Sequence, residues 1–298
     1  MAEVITLQQP EVCYSYSQFL PDVVRVLEVS YEIDDDFRTH NIAIVCGNTF
    51  QGTLTWMSRY YDPQIRKGSL ARVYWPNELS TVDGCHPVVR VVPISSVDPS
   101  VNLFDTIPRG WLKNSSLTER AKELWEQLSQ PMQLLFNMLY WDSACFQRYV
   151  CVPASIDGHH NGWGGNLRHA VETAEHAERI ALDVAGVSNS LLILACFLYN
   201  APVVEACRWR DGHWQMPNES VMKESQVRFQ GRLEAVLRNS PDCLSTGEHQ
   251  ILWQMLFGLN AARLEFQQQP SAVLEAEILC MADRLSRVIN QREQGGLQ

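Results

Sequence analysis

The chain has 298 residues, of which 46% are hydrophobic and 19% charged, and it carries a net charge of −10. That length suits two regions that each bury a core, and the composition excludes a disordered or low-complexity protein. An acidic chain gains little from nonspecific phosphate binding, so any nucleic-acid contact requires basic groups gathered locally.

Residues 1–10, Met-Ala-Glu-Val-Ile-Thr-Leu-Gln-Gln-Pro, lack a basic segment followed by an apolar core, so no signal peptide is expected. From 22 to 97 the pattern predicts short strands at Val23–Ser30, Asn41–Cys46, Phe50–Trp56, Leu70–Trp75 and Val88–Pro93. Turn residues separate them at Asp34–Asp36, Gly47-Asn48, Lys67-Gly68 and Asp83-Gly84. Five strands without a helix predict a small Greek-key barrel. The OB-fold is the commonest of that size, and an SH3-like barrel is the alternative. The acidic trio at 34–36 reads as a turn.

Between Trp56 and Trp75 lie Arg59, Tyr60, Tyr61, Arg66, Lys67, Arg72 and Tyr74, against the single acid Asp62. Cations for phosphates and ring faces for bases are what a single-strand groove needs. Strand aromatics are more often core, and alternation sends Tyr74 and Trp75 to opposite faces, so at most one of them lines a groove.

A linker with two prolines and a glycine runs from Asp98 to Gly110, placing a boundary between 1–107 and 108–298. Ser116 to Glu119 has capping-box spacing. Leu117, Ala121, Leu124 and Leu128, then Leu134, Leu135, Met138 and Leu139, recur at helical intervals. Further helices are predicted at 166–185, 190–200, 219–238, 245–260 and 271–291, with a second capping box at Ser245–Glu248. A polar hairpin-like turn holds Arg208 to Trp214, and its His213 reads as structural. The fold class expected is α+β: an N-terminal barrel followed by an all-α region.

No apolar run looks long enough to span a bilayer, 191–198 being short, so a cytoplasmic protein without membrane partners is expected. The nine cysteines are scattered without a Cys-x-x-Cys pair, which predicts reduced thiols and excludes a zinc ribbon. Walker loops, Rossmann glycines and serine-nucleophile elbows are absent from the sequence.

Residues 159–169 read His-His-Asn-Gly-Trp-Gly-Gly-Asn-Leu-Arg-His. This run resembles the histidine-rich motif of the HD superfamily of metal-dependent phosphohydrolases. The similarity spans about residues 150–290, and the domain order is closest to 3′–5′ exoribonucleases that join an OB-fold to an HD domain. The helical half also resembles the HD-like region of conjugative relaxases.

The resemblance implies a first metal ligand at His169, a His-Asp dyad at positions held here by Tyr199 and Asn200, and a further ligand at His249. It implies paired histidines where Gln254 and Met255 stand, and a last carboxylate at Asp283. His159 and His160 would assist phosphate binding. Asn200 offers a carbonyl oxygen but no charge, and Tyr199 is a poor ligand at neutral pH.

What survives is a reduced set of His169, His249 and Asp283, which can hold at most one divalent ion such as Mn, Fe, Ni or Zn. No other cofactor is expected. The bland readings are backbone bonding for His159 and His160, a surface place for His176, a solvated place for His249, and an ion pair for Asp283. The leading expectation is a noncatalytic protein that binds nucleic acid or nucleotide, an accessory or mobile-element factor. Its alternatives are an active phosphohydrolase or 3′–5′ exonuclease, and a protein–protein scaffold.

Overall fold

The computed structural model describes residues 20–155, 158–215, 218–258 and 273–295. The β part comprises β1 (Val23–Ile33), β2 (Thr39–Gly47), β3 (Phe50–Ser58), β4 (Leu70–Tyr74), β5 (Cys85–Pro87) and β6 (Arg90–Pro93). They form one sheet in the order β5-β3-β2-β1-β4-β6, antiparallel throughout except for the parallel β3–β5 pair. The predicted last strand is split. Val88 N–H donates to Thr55 O and the next amide, Val89 N–H, donates to Tyr74 O. One extended run therefore passes from the edge of β3 to the edge of β4, and the sheet curls on itself.

Alternation buries Val24, Val26, Ala43, Val45, Leu54, Trp56, Ala71, Val73 and Val91 inside this curl. Arg25 faces the other way and is 1% exposed. Its Nε donates to Thr106 O (3.2 Å), Nη2 to Thr106 Oγ1 (2.9 Å) and Nη1 to Gly68 O (3.2 Å). The guanidinium lies over the rings of Trp111 and Phe146, and burial lowers its pKa to about 10. It remains charged at neutral pH and joins the sheet to the helices.

The helices are α1 (Ser115–Glu126), α2 (Gln130–Tyr140), α3 (Ser143–Cys151), α4 (Gly165–Ala181), α5 (Asn189–Leu198) and α6 (Ala201–Ala206). A hairpin of β7 (Arg208–Arg210) and β8 (His213–Gln215) follows. Then come α7 (Glu219–Asn239), α8 (Thr246–Trp253), a π turn at Gln254–Gly258, and α9 (Leu274–Gly295). The α+β class of the sequence reading holds.

Three local differences have simple causes. Asn114, not Ser116, caps α1: its Oδ1 accepts from the Ser116 and Leu117 amides, and the Ser116 hydroxyl donates to it as well. Ser245–Glu248 is a capping box as expected. The predicted helix 190–200 is broken after Leu198, because Pro202 suits only the first turn of a new helix. Residues 189–206 together are an 18-residue window of mean hydropathy 1.4, longer than the run the sequence reading weighed, yet 72% of it is buried inside the protein. Its apolarity is that of a core helix: Leu191 to Leu198 are all buried, against α4 on one side. The expected helix 271–291 overlaps α9, and its residues 271–272 lie outside the described ones.

A candidate site where α4 meets α9

Two glycines set the start of α4. Gly164 takes φ +74°, a left-handed conformation that glycine adopts without strain. Its amide donates to Cys151 O (2.9 Å), and Asn166 bonds Val152 O through its amide and Tyr149 O through Nδ2. At Gly165 a Cβ would lie 1.9 Å from His160 O, so only glycine lets the histidine loop pass this closely. That loop is further pinned by Ala154 N–H to His160 O and Ser155 Oγ to His159 O. His160 itself has φ +52°.

The result is a buried cluster of His159, His160, His169 and Asp283 between the loop, α4 and α9. The His159 ring lies 5.2 Å from that of His160 and 4.7 Å from that of His169. His169 Nε2 is 3.2 Å from Asp283 Oδ1. His160 Nε2 lies 3.0 Å from Glu172 Oε2 and 3.2 Å from Ser286 Oγ, and its backbone amide donates to Asn290 Oδ1. Arg287 closes the arrangement from one turn along α9, with Nε to Asp283 Oδ1 (3.1 Å) and Nη2 to Oδ2 (2.9 Å).

Burial lowers the His159 pKa to about 3, helped by repulsion from His169 and Arg287. Burial also lowers His169, against the opposing effect of the hydrogen bond its Nε2 makes to Asp283 Oδ1. Glu172 stays below the ordinary carboxylate value: burial pushes it up, but the contact with His160 together with the charges of Arg168 and Arg120 pulls it down further. Both His159 and His169 are therefore neutral at pH 7 and present lone pairs. One donor atom each from His159, His169 and Asp283 lies within 4.8 Å of the other two. Two imidazoles and a carboxylate suit a single divalent ion in number and type.

The expected ligand set was therefore placed in part. His169 and Asp283 meet, but His249 is absent from their cluster. Its half-buried ring lies in the cleft between α7 and α8 with Glu234, Gln250 and Gln254, and edge-on to Trp253. His159 stands with His169 and Asp283 instead. Tyr199 is buried at the end of α5, and Asn200 begins α6, its carbonyl accepting from Val203 and Val204. Gln254 is exposed and Met255 buried in the π turn.

His176 is half-buried, with Nδ1 3.3 Å from Arg179, and His213 is exposed beside Asp211 O. Glu172, Ser286, Arg287 and Asn290 escaped the sequence reading. Their signal was helical spacing: Glu172 is one turn from His169, and 283, 286, 287 and 290 share a face of α9.

On the β part, Trp56 points inward beside Leu54, so it is core and no stacking platform. Trp75 is half-buried, its Nε1 donating to Pro21 O and its ring packed edge-on to Phe50. Arg72 pairs with Asp98 at 3.5 Å. Arg59, Tyr60, Tyr61, Arg66, Lys67 and Tyr74 are exposed. Two residues absent from the reading join them: Arg90 lies 3.9 Å over the Tyr74 ring, and Tyr31 stacks on Tyr61 at 4.4 Å. Among the described residues no carboxylate lies within ion-pair distance of Arg59, Arg66 or Lys67. Asp34, in the acidic trio, accepts from the Arg38 amide and pairs with His40, as a turn residue does.

Compared with known proteins, the chain matches no family model, no curated protein and no solved structure.

Proposed function

We propose that this protein binds single-stranded nucleic acid without hydrolysing it, through an OB-type barrel carried on an HD-type helical scaffold. The observation that carries the reading is the exposed band of Arg59, Tyr60, Tyr61, Arg66, Lys67 and Tyr74, whose cations have no carboxylate within ion-pair distance among the described residues. Phosphates would supply the counter-charge, and bases would stack on the exposed ring faces of the tyrosines. The strand pairing supports the barrel half of the reading: β1 between β2 and β4, and one run joining β3 to β4, is the order of a five-stranded Greek-key barrel.

The helical half supports the nonhydrolytic part. The dyad positions hold Tyr199 and Asn200, and Asp283 is already neutralised by a bidentate Arg287. A divalent ion beside that guanidinium meets a repulsion that a site built for catalysis avoids. The test is binding of fluorescent oligonucleotides at several salt concentrations. Affinity that falls steeply with salt, and falls further in an Arg66→Glu/Lys67→Glu variant, is expected. Binding that ignores both overturns the reading, and a protein partner for this surface takes its place.

A second reading has its own observation. His159 Nε2 is buried without a hydrogen-bond partner, at a cost of about 1–3 kcal/mol, and it sits with His169 and Asp283. Those three residues would hold one Mn, Fe, Ni or Zn ion, which supplies Lewis acidity and an activated water for phosphodiester or phosphomonoester hydrolysis. Glu172, through His160 and Ser286, would fix the imidazoles around it. Near-stoichiometric metal by elemental analysis, lost in Asp283→Ala, would establish this reading and call for a phosphohydrolase and 3′–5′ exonuclease screen. Purified protein without metal after incubation with all four ions removes it.

A further inference from the structure

The hairpin β7–β8 is the shortest sheet in the molecule and carries an unusual load of rings and cations. Asp211 and Gly212 both have positive φ (+51° and +78°), which makes the tight two-residue turn that Asp-Gly favours. Trp209 and Trp214 are direct cross-strand partners, with ring centroids 5.2 Å apart. Trp163, from the glycine loop before α4, completes the group at 5.4 Å from Trp209 and 5.7 Å from Trp214. Its Nε1 donates to Trp111 O at 2.6 Å, which fixes the ring.

Two of these rings stay 51% exposed, Trp163 and Trp209. Core aromatics do not remain half in water when they can be covered; a rigid exposed pair is a surface left for a ligand. Strand alternation sends Arg208, Arg210 and His213 to the opposite face of the ribbon. Arg208 spends Nη1 on the carbonyls of Glu205 and Cys207, while among the described residues Arg210 has no carboxylate within ion-pair distance. On a chain of net charge −10, this ribbon is a local excess of cations with only Asp211 against it.

We infer that the Trp163–Trp209 platform, with Arg210 at its edge, is a second contact for single-stranded nucleic acid, separate from the barrel. A two-stranded ribbon is only about 5 Å between strands, so Arg210 on one face reaches a phosphate backbone running along its edge. The bases of that strand then lie against the indoles of the other face. Stacking of this kind tolerates any base, so the ligand class is a single strand, DNA or RNA, rather than one sequence. The inference rests on the proposed function for the chemistry of the ligand, but uses none of the barrel residues.

The experiment is fluorescence anisotropy of labelled oligo(dT) and oligo(rU) with the full chain, three hairpin variants and Arg66→Glu/Lys67→Glu, each variant first shown to unfold at the wild-type temperature. Trp209→Ala is expected to weaken binding about tenfold or more, and Trp209→Phe to restore most of it, since a phenyl ring still stacks. Arg210→Glu is expected to weaken binding and to flatten its salt dependence. The two oligonucleotides decide between DNA and RNA as the tighter ligand. If Arg66→Glu/Lys67→Glu weakens binding while the hairpin variants leave it unchanged, this inference fails and the barrel reading stands. If only the hairpin variants matter, the inference stands and the barrel contact is lost. A wild-type chain that binds neither oligonucleotide overturns both.

Discussion

The outer face of the curled sheet and the α4–α9 cluster each gather charged and aromatic groups, and they treat them in opposite ways. Inside, Asp283 meets Arg287 and His169, Glu172 meets His160, and Ser286 joins the two pairs. Outside, Arg59, Arg66 and Lys67 stand among tyrosines, with no carboxylate within ion-pair distance among the described residues. A buried charge must be neutralised within the fold because its desolvation is so costly. An exposed charge is solvated and can wait for a ligand. The difference teaches that buried titratable groups can serve as architecture: the histidines and aspartate of the cluster hold the loop, α4 and α9 together.

The comparison breaks first if Asp283 is dispensable. Asp283→Ala leaves Arg287 and His169 without their buried partner, and a loss of about 3–5 kcal/mol in unfolding free energy is expected by urea denaturation. A change below the ordinary scatter of surface substitutions would show that the pair is not structural. Acid should act on the same cluster. His159 is neutral in the fold with its pKa depressed to about 3, whereas the unfolded chain takes up a proton near 6.5. Its contribution is therefore full above pH 6.5 and is lost as pH falls towards 3, on the order of a few kcal/mol. Thermal melts across that window, compared with a His159→Gln variant that lacks the titration, check the sign.

Smaller effects sharpen the contrast. Gly165→Ala forces the His160 carbonyl away and is expected to cost about 1–3 kcal/mol, with a change in the histidine signals by NMR. On the sheet, Arg66→Glu/Lys67→Glu should leave stability within about 0.5 kcal/mol of wild type, because both side chains are exposed and form no ion pair among the described residues. A large destabilisation there would mean the band is held by contacts within the protein and is not a free surface.

Much of the β part was legible because alternation and turn chemistry are local. Val23, Leu54 and Val91 fall in predicted strands, and Gly47-Asn48 and Lys67-Gly68 mark real turns. The split of the last strand was hidden, since Val88 and Val89 look alike in sequence and differ only in which edge each one bonds. Trp56 shows the same limit: composition put it beside cations, and pleat direction put it in the core. In the helical half, Ser245 capped its helix as its spacing promised, whereas Ser116 lost to Asn114 two residues earlier. His249 fitted a ligand spacing yet faces Glu234 across another cleft.

By itself, then, the sequence determined the order of a β part and an α part, the turns between the strands, and the Ser245 capping box that starts α8. These follow from period, capping and conformational freedom, which act within a few residues. Only the tertiary structure decided that His169 meets Asp283, with His159 rather than His249 beside them, that Arg287 pairs with Asp283, and that Trp163 reaches across to Trp209 and Trp214. Each of those is a contact between segments far apart in the chain. Such contacts are chosen by the packing of whole helices, where a rotation of one residue, about 100°, moves a side chain from one neighbour to another.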